Sequence, residues 1–176
     1  MIIRHHLSQL EGTLISDKNP KFIELLRSPT LMLAFGFGSG LSPKAPGTIG
    51  SLAAIPLWLV LSQLPVALYW LVVIVATVLG VYICGRAATK LGVHDHSGIV
   101  WDEFVGLWIA MAFLAPSLSA VICGFVLFRF FDIVKPWPIG WLDKKMQGGM
   151  GIMIDDIVAG IFAAAIASYI SYLGYL

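Results

Sequence analysis

The chain has 176 residues, 59% hydrophobic and 12% charged, with a formal net charge of +1 and a mean hydropathy of +0.89. Soluble domains carry about 25% charged residues, and half that share cannot cover a water-facing globule of this size, so a soluble enzyme is all but excluded. Intrinsic disorder and nucleic-acid binding are excluded too, since no basic run exists to meet phosphates; what remains is a small polytopic membrane protein of one domain.

Residues 1–30 hold Arg4, Glu11, Asp17, Lys18, Lys21, Glu24 and Arg27 with no apolar run between them. That is not a signal peptide, and the chain is expected to keep Met1. The segment reads as a cytoplasmic N-terminal stretch ahead of a single helical, membrane-embedded domain over 31–176. Within it, 20–27 suits a short helix, either amphipathic on the membrane surface or ordinary and polar. Residues 31–41 suit a re-entrant or surface helix. Cys84 and Cys123 lie in separate apolar runs and are expected as packing thiols, not a disulfide.

The spacing of charges organises the rest. None occurs over 45–85, 104–128 or 157–176, and a membrane-spanning helix needs about 20 apolar residues. The first gap is split by Leu64-Pro65 and predicts two spans, roughly 49–64 and 66–85; the last predicts one. The middle gap suits either one span kinked at Pro116 or a hairpin turning at Ala115-Pro116-Ser117, with arms near 99–115 and 117–134. The hairpin puts Arg86, Lys90, Arg129, Lys135, Lys144 and Lys145 on one side and leaves the opposite turns uncharged, as the positive-inside rule requires. The expectation is therefore an all-α, polytopic integral membrane protein with about five membrane-embedded helices, N-terminus inside and the polar loops cytoplasmic.

The acidic residues beyond Glu24 are Asp95, Asp102, Glu103, Asp132, Asp143, Asp155 and Asp156. A carboxylate at a bilayer edge loses hydration, which is costly unless it is paired or binds a cation. Asp102-Glu103 and Asp155-Asp156 are expected to open two helices, where one acid each would suffice as a cap. Gly106 and Gly160 follow Asp102 and Asp156 by one turn, so the two helices are expected to press together with their acids converging. Converging carboxylates need a cation, and an all-oxygen set favours Mg²⁺, Mn²⁺ or Ca²⁺ over zinc. Asp132 follows Arg129 by three residues and suits an intrahelical ion pair. Lys135-Pro136-Trp137-Pro138 ends that helix. Arg129 and Lys135 add positive charge beside the acids, a combination suited to a phosphate. His94-Asp95-His96 reads as a polar loop rather than a metal motif.

Gly36-Phe37-Gly38-Ser39-Gly40 lacks the strand and spacing of a dinucleotide fingerprint. Thr48 is expected as N-cap of the next span, with free amides able to hold a phosphate. Gly148-Gly149-Met150-Gly151 reads as a flexible approach to the last acidic pair.

Four ordered motifs carry a resemblance over about residues 30 to 165: Pro46-Gly47-Thr48-Ile49-Gly50-Ser51, Trp101-Asp102-Glu103-Phe104-Val105-Gly106, Arg129-Phe130-Phe131-Asp132 running into Lys135-Pro136-Trp137-Pro138, and Asp155-Asp156-Ile157-Val158-Ala159-Gly160. Together they resemble the phosphatidylglycerophosphatase A family. The resemblance implies an all-helical, Mg²⁺-dependent lipid phosphatase of the bacterial inner membrane, its site facing the cytoplasm. Its substrate would be phosphatidylglycerol phosphate and its product phosphatidylglycerol. Asp102, Glu103, Asp132, Asp155 and Asp156 then become the catalytic and Mg²⁺-holding set, with Asp143 a further candidate ligand. Arg129, Lys135 and Thr48 become the substrate contacts. No Cys-x5-Arg loop, no Asp-x-Asp-x-Thr pattern and no suitably placed histidine nucleophile occurs, so metal-activated water is the most economical chemistry, with one or two metals; an aspartyl-phosphate route stays open. The alternative reading is a small cation transporter using the acids as an ion path. Such paths place ionisable groups near the bilayer midplane, and the span centres here hold none.

Overall fold

The computed structural model describes residues 19–93 and 96–176. The described residues are helices and turns, with no strand among them: α1 (Phe22–Leu26), α2 (Pro29–Ala34), a 3-10 segment (Gly36–Leu41), α3 (Pro46–Leu61), α4 (Val66–Leu91), α5 (Trp101–Ala110), α6 (Leu118–Val134), α7 (Ile139–Lys145) and α8 (Gly148–Tyr172).

α5 is the hub, packed against α3, α4, α6 and α8, with nearly every residue buried. Its ten residues make a rod of about 15 Å, half the roughly 30 Å of a hydrocarbon core. The expected arm over 99–115 is thus too long: helix stops at Ala110. The reason is not local. A helix end buried in a core must find donors for its last carbonyls, and here other helices supply them. The Trp58 indole donates to the Met111 carbonyl (3.2 Å) and the Tyr69 hydroxyl to that of Trp108 (2.5 Å). The indoles of Trp101 and Trp108 in turn donate to Ala76 and Ala54 carbonyls, both at 3.1 Å, tying α5 to α4 and α3.

The chain does turn back across Pro116, as a hairpin and not as one kinked helix. Ser117 caps α6, its hydroxyl accepting from the Ala120 amide at 3.0 Å. Pro65 likewise separates α3 from α4. α4 and α8 are long and apolar enough to cross a membrane, whereas α3 is apolar but shorter, at 16 residues. Leu71, Ile74 and Val78 of α4 stand exposed on the bundle's outer face.

The glycine expectation holds for α5 and α8. A Cβ on Gly160 would sit 2.5 Å from the Gly106 carbonyl, and one on Gly106 would sit 2.8 Å from the Asp156 carbonyl. The helices meet backbone to backbone, one turn beyond their acids. Cys84 and Cys123 are not joined in a disulfide. Around the bundle's charged end, α1 and α2 pack rather than float: Leu25 is buried, and Lys90 donates to the Ser28 hydroxyl at 2.8 Å. In the 31–41 stretch Leu31, Ala34 and Phe35 are buried as well. The expectations for residues 1–18 and for His94-Asp95 lie outside the described residues. His96 is buried, with its Nδ1 accepting from the Gly98 amide at 3.0 Å.

Candidate active site

The starts of α3, α5 and α8 and the ends of α4 and α6 come together at the charged end of the bundle. Between them opens a cleft of about 370 Å³ lined by Asp102, Glu103, Arg129, Asp132, Lys135, Asp143, Asp155 and Asp156, with Pro46 and Gly47 at its edge. All eight charged groups on this wall were candidates from sequence, and four helices, α5, α6, α7 and α8, with the turn at Lys135 bring them to one place.

They divide into two clusters. In the first, Arg129 reaches from α6 to pair with Glu103 of α5 and, at 2.7 Å, with Asp132 of its own helix. The intrahelical pair expected from the three-residue spacing is thus present, but Arg129 serves a second carboxylate as well. The Ser51 hydroxyl lies 2.9 Å from both Glu103 Oε2 and the Gly47 carbonyl, so its single hydrogen is shared between them, and Arg129 Nη1 stands 3.5 Å away. In the second cluster, Lys135 pairs with Asp155 at 2.6 Å and with Asp143 at 3.1 Å. Burial works against the Lys135 ammonium, but the hydrogen bond and charge of Asp155, and then those of Asp143, outweigh it and hold the group above the ordinary lysine range. Lys135 sits in the left-handed backbone region (φ 45°, ψ 54°) at the end of α6. A branched or bulky side chain is rarely found there, and the turn sends the chain away from α6 while its side chain stays with the acids.

Between the clusters, carboxylate oxygens of Asp132, Asp155 and Asp156 lie within 4.8 Å of one another. Asp156 is only 3% exposed. Asp155 Oδ1 and Asp156 Oδ2 are buried with no hydrogen-bond partner, as is Arg129 Nε. A buried polar atom left unpaired costs about 1–3 kcal/mol, and more when charged, so these oxygens are poised for a ligand. The wall also carries six carboxylates against two cations. A phosphate would be repelled from it unless more positive charge were present. Hard divalent cations with oxygen ligands fit both observations.

Some expectations need correcting. Asp155-Asp156 does not open a helix: α8 begins at Gly148, about two turns earlier, so the pair lies mid-helix, where capping is not its purpose. Gly148-Gly149-Met150-Gly151 is not a flexible approach. It is the first turn of α8, and Gly149 lies so close to the Val81 carbonyl of α4 that a Cβ has no room. Thr48 is not an N-cap. Ala45, in the left-handed region, takes that position with Pro46 first in the helix, the place where a missing N–H matters least. The cleft wall ends at Gly47, and Thr48 lies beyond it. Asp143 belongs to Lys135 and lies outside the three-carboxylate group. Asp102 lines the cleft and accepts from the Glu103 amide at 3.0 Å.

Two participants were not singled out from sequence. Ser51 looks like one more small residue in an apolar helix; its signals are its place at the end of the Pro46–Ser51 motif and its position one turn after Gly47, on the face that meets the charges. Gly47 itself is fixed by that meeting, because a Cβ there would collide with Glu103 Oε1 and stand 3.2 Å from both terminal nitrogens of Arg129.

The family model described as phosphatidylglycerophosphatase A matches residues 32–171. The chain is 54% identical over 148 residues to a phosphatidylglycerophosphatase A of Escherichia coli K12, covering 84% of this chain and 86% of the relative. It is 48% identical over 162 residues to a protein of the same name from Haemophilus influenzae, covering 90% and 98%. A third relative, from Bacteroides thetaiotaomicron and provisionally named a phosphatidylinositol-3-phosphatase, is 38% identical over 154 residues, covering 83% and 92%. No solved structure matches the chain.

Proposed function

The chain belongs to the phosphatidylglycerophosphatase A family, and from that premise we propose that it removes the terminal phosphate of phosphatidylglycerol phosphate to give phosphatidylglycerol, with Mg²⁺ as cofactor. The observation that carries the chemistry is the convergence of Asp132, Asp155 and Asp156 from two helices, with two of their oxygens buried and unbonded. These three residues would hold Mg²⁺, which when bound supplies the positive charge that admits a phosphate and lowers the pKa of an attacking water. The chain's own cations do the rest. Arg129, held by Glu103, Ser51 and Asp132, presents a guanidinium whose orientation is fixed before substrate arrives, which is the condition for stabilising developing charge on the phosphoryl oxygens. Lys135, just past the end of α6, does the same, oriented by Asp143 and Asp155. Asp102 stands at the cleft and is the remaining candidate to accept a proton from the nucleophile.

Purified protein in detergent micelles should release phosphate from phosphatidylglycerol phosphate. EDTA should abolish release and added Mg²⁺ restore it; full turnover in metal-free buffer would overturn the cofactor assignment. Phosphatidylinositol 3-phosphate belongs in the same assay, since one relative bears that activity in its name.

The same reading embeds α3, α4, α5, α6 and α8 in the inner membrane of a bacterium, with the cleft in the cytoplasm. Arg86, Lys90, Arg129, Lys135, Lys144 and Lys145 all lie toward the cleft end, while the turns at Pro65 and Pro116 carry no charge. Exposed leucine, isoleucine and valine along α4 and α6 suit lipid contact. α5 is then embedded in protein without spanning. Cysteines introduced at Gln63 and Ser117 should react with an impermeant maleimide on intact spheroplasts, and ones at Gly92 and Gln147 only after lysis. Labelling of Gly92 and Gln147 positions from opposite sides would exclude this topology.

A further inference from the structure

The junction of α6 and α7 forms a rim with two unlike faces. On its inner side Lys135, Asp143 and Met146 line the cleft. On its outer side stand Trp137, 84% exposed, and Trp141, 51% exposed, followed by exposed Lys144 and Lys145. The Lys145 ammonium lies over the Trp141 ring, 4.5 Å from its centroid. Ile139, between the tryptophans, is completely buried, so it seats the rim on the bundle and fixes which side the rings face. Along α6, Leu118, Ile122, Val126, Phe130 and Ile133 are exposed at one-turn spacing, and Trp137 follows in the turn just past the helix end.

Each element of that sequence has a physical partner. Two indole rings held in water cost free energy in proportion to their apolar area, and the environment that suits a ring with a polar edge is the headgroup layer, where tryptophan concentrates. Lysines beside such rings draw anionic headgroups. Asp143 does not cancel them, because it is already paired with Lys135; Lys144 and Lys145 present two positive charges outward.

We propose that the α6–α7 rim, through Trp137, Trp141, Lys144 and Lys145, docks in the headgroup layer of an anionic phospholipid bilayer, and that lipid passes over it into the cleft. The proposal rests on the reading of the cleft as a lipid phosphatase site. The rim joins α6, whose outer face is apolar, to α7, which carries Asp143 of the cleft wall, so a headgroup at the rim can enter the cleft without its chains leaving the bilayer.

The test has two arms, both on the full-length protein. In vesicles of phosphatidylglycerol and phosphatidylethanolamine, the emission difference between parent and W137F/W141F should be quenched by a nitroxide placed near the headgroup and little by one at the chain end. Quenching by aqueous iodide with neither lipid probe effective overturns the docking. In the second arm, W137A/W141A and K144Q/K145Q are assayed on long-chain phosphatidylglycerol phosphate in vesicles and on a short-chain, water-soluble form. Vesicle turnover at low substrate should fall about tenfold for each pair, with short-chain turnover within about twofold of parent. Equal losses on both substrates, or on neither, overturn lipid entry over the rim. A parent inactive on both substrates defeats the phosphatase reading itself, and the quenching arm still decides the docking.

Discussion

Asp156→Asn is expected to abolish turnover without unfolding the protein, with Asp155→Asn close behind. Asparagine keeps the size of the side chain and loses its charge. A cap would tolerate this, since Asn caps as well as Asp, but neither residue is near the start of α8. A ligand to a hard cation would not tolerate it, because the neutral oxygen is a much weaker donor. Charge stabilisation by a bound metal is worth several kcal/mol, and each ~1.4 kcal/mol is tenfold, so a loss of about a hundredfold or more is expected at saturating lipid. The two variants separate on stability. Asp156 is buried among other acids, with Oδ2 unbonded, so removing its charge relieves repulsion when no metal is present. Asp155 has Lys135 at 2.6 Å, and its loss also breaks an ion pair. In EDTA, Asp156→Asn should melt above the parent and Asp155→Asn should not. Glu103→Gln supplies the contrast: its carboxylate is held by Arg129 and Ser51 outside the three-carboxylate group, so turnover should fall while the Mg²⁺ midpoint stays near that of the parent. Near-parental turnover in Asp155→Asn and Asp156→Asn would remove both from the site.

What the sequence makes legible is whatever depends on charge and on local backbone chemistry. The uncharged gaps, the breaks at Pro65 and Pro116 and the gathering of acids and bases at one end all follow from the cost of placing charge in an apolar environment. The spacing Asp102 to Gly106 and Asp156 to Gly160 yields the contact of α5 with α8, since a missing Cβ on the acid's own face has few other uses. What is not legible depends on partners distant in the chain. Nothing between residues 99 and 115 marks Ala110 as a helix end; Trp58 and Tyr69, from two other helices, take up its carbonyls. The glycines at 148, 149 and 151 read as loop because each disfavours helix by about 1 kcal/mol relative to alanine. Packing against α4 overrides that preference and moves the start of α8 two turns ahead of Asp155. The start of α3 does carry a local signal: Ala45-Pro46 places proline at the first helical position, which takes Thr48 past the cap. Ser51 needed the fold, because its role exists only through Glu103 and Arg129.

Gly160→Ala is expected to cost both stability and activity, although residue 160 touches no charged group of the cleft. The added Cβ would stand 2.5 Å from the Gly106 carbonyl. That neighbour is backbone in the middle of the most buried helix and cannot swing aside, so α5 and α8 must separate. Restoring an ordinary contact takes roughly 1 Å, and misplacement on that scale costs about a hundredfold in rate when a site depends on preset geometry. Asp156 lies one turn before Gly160 and moves with it, so the spacing of Asp155 and Asp156 from Asp132 on α6 and from Asp102-Glu103 on α5 changes together. Overpacking of this kind also costs about 1–3 kcal/mol of stability. Gly124→Ala is the matched control. Its Cβ would stand 2.6 Å from Met111 Cγ, an equally close approach to a fully buried side chain, but at the end of α5 far from the acids. Gly124→Ala should lose stability on the same scale, about 1–3 kcal/mol, yet keep turnover within about twofold, because the acids stay in place. Gly160→Ala should melt lower, need more Mg²⁺ for half-maximal rate, and remain slow when Mg²⁺ is saturating. If Gly160→Ala melts lower yet turns over at the parental rate with the parental Mg²⁺ midpoint, the close approach of α5 and α8 serves packing alone, and the acids are positioned by something other than the glycine contact.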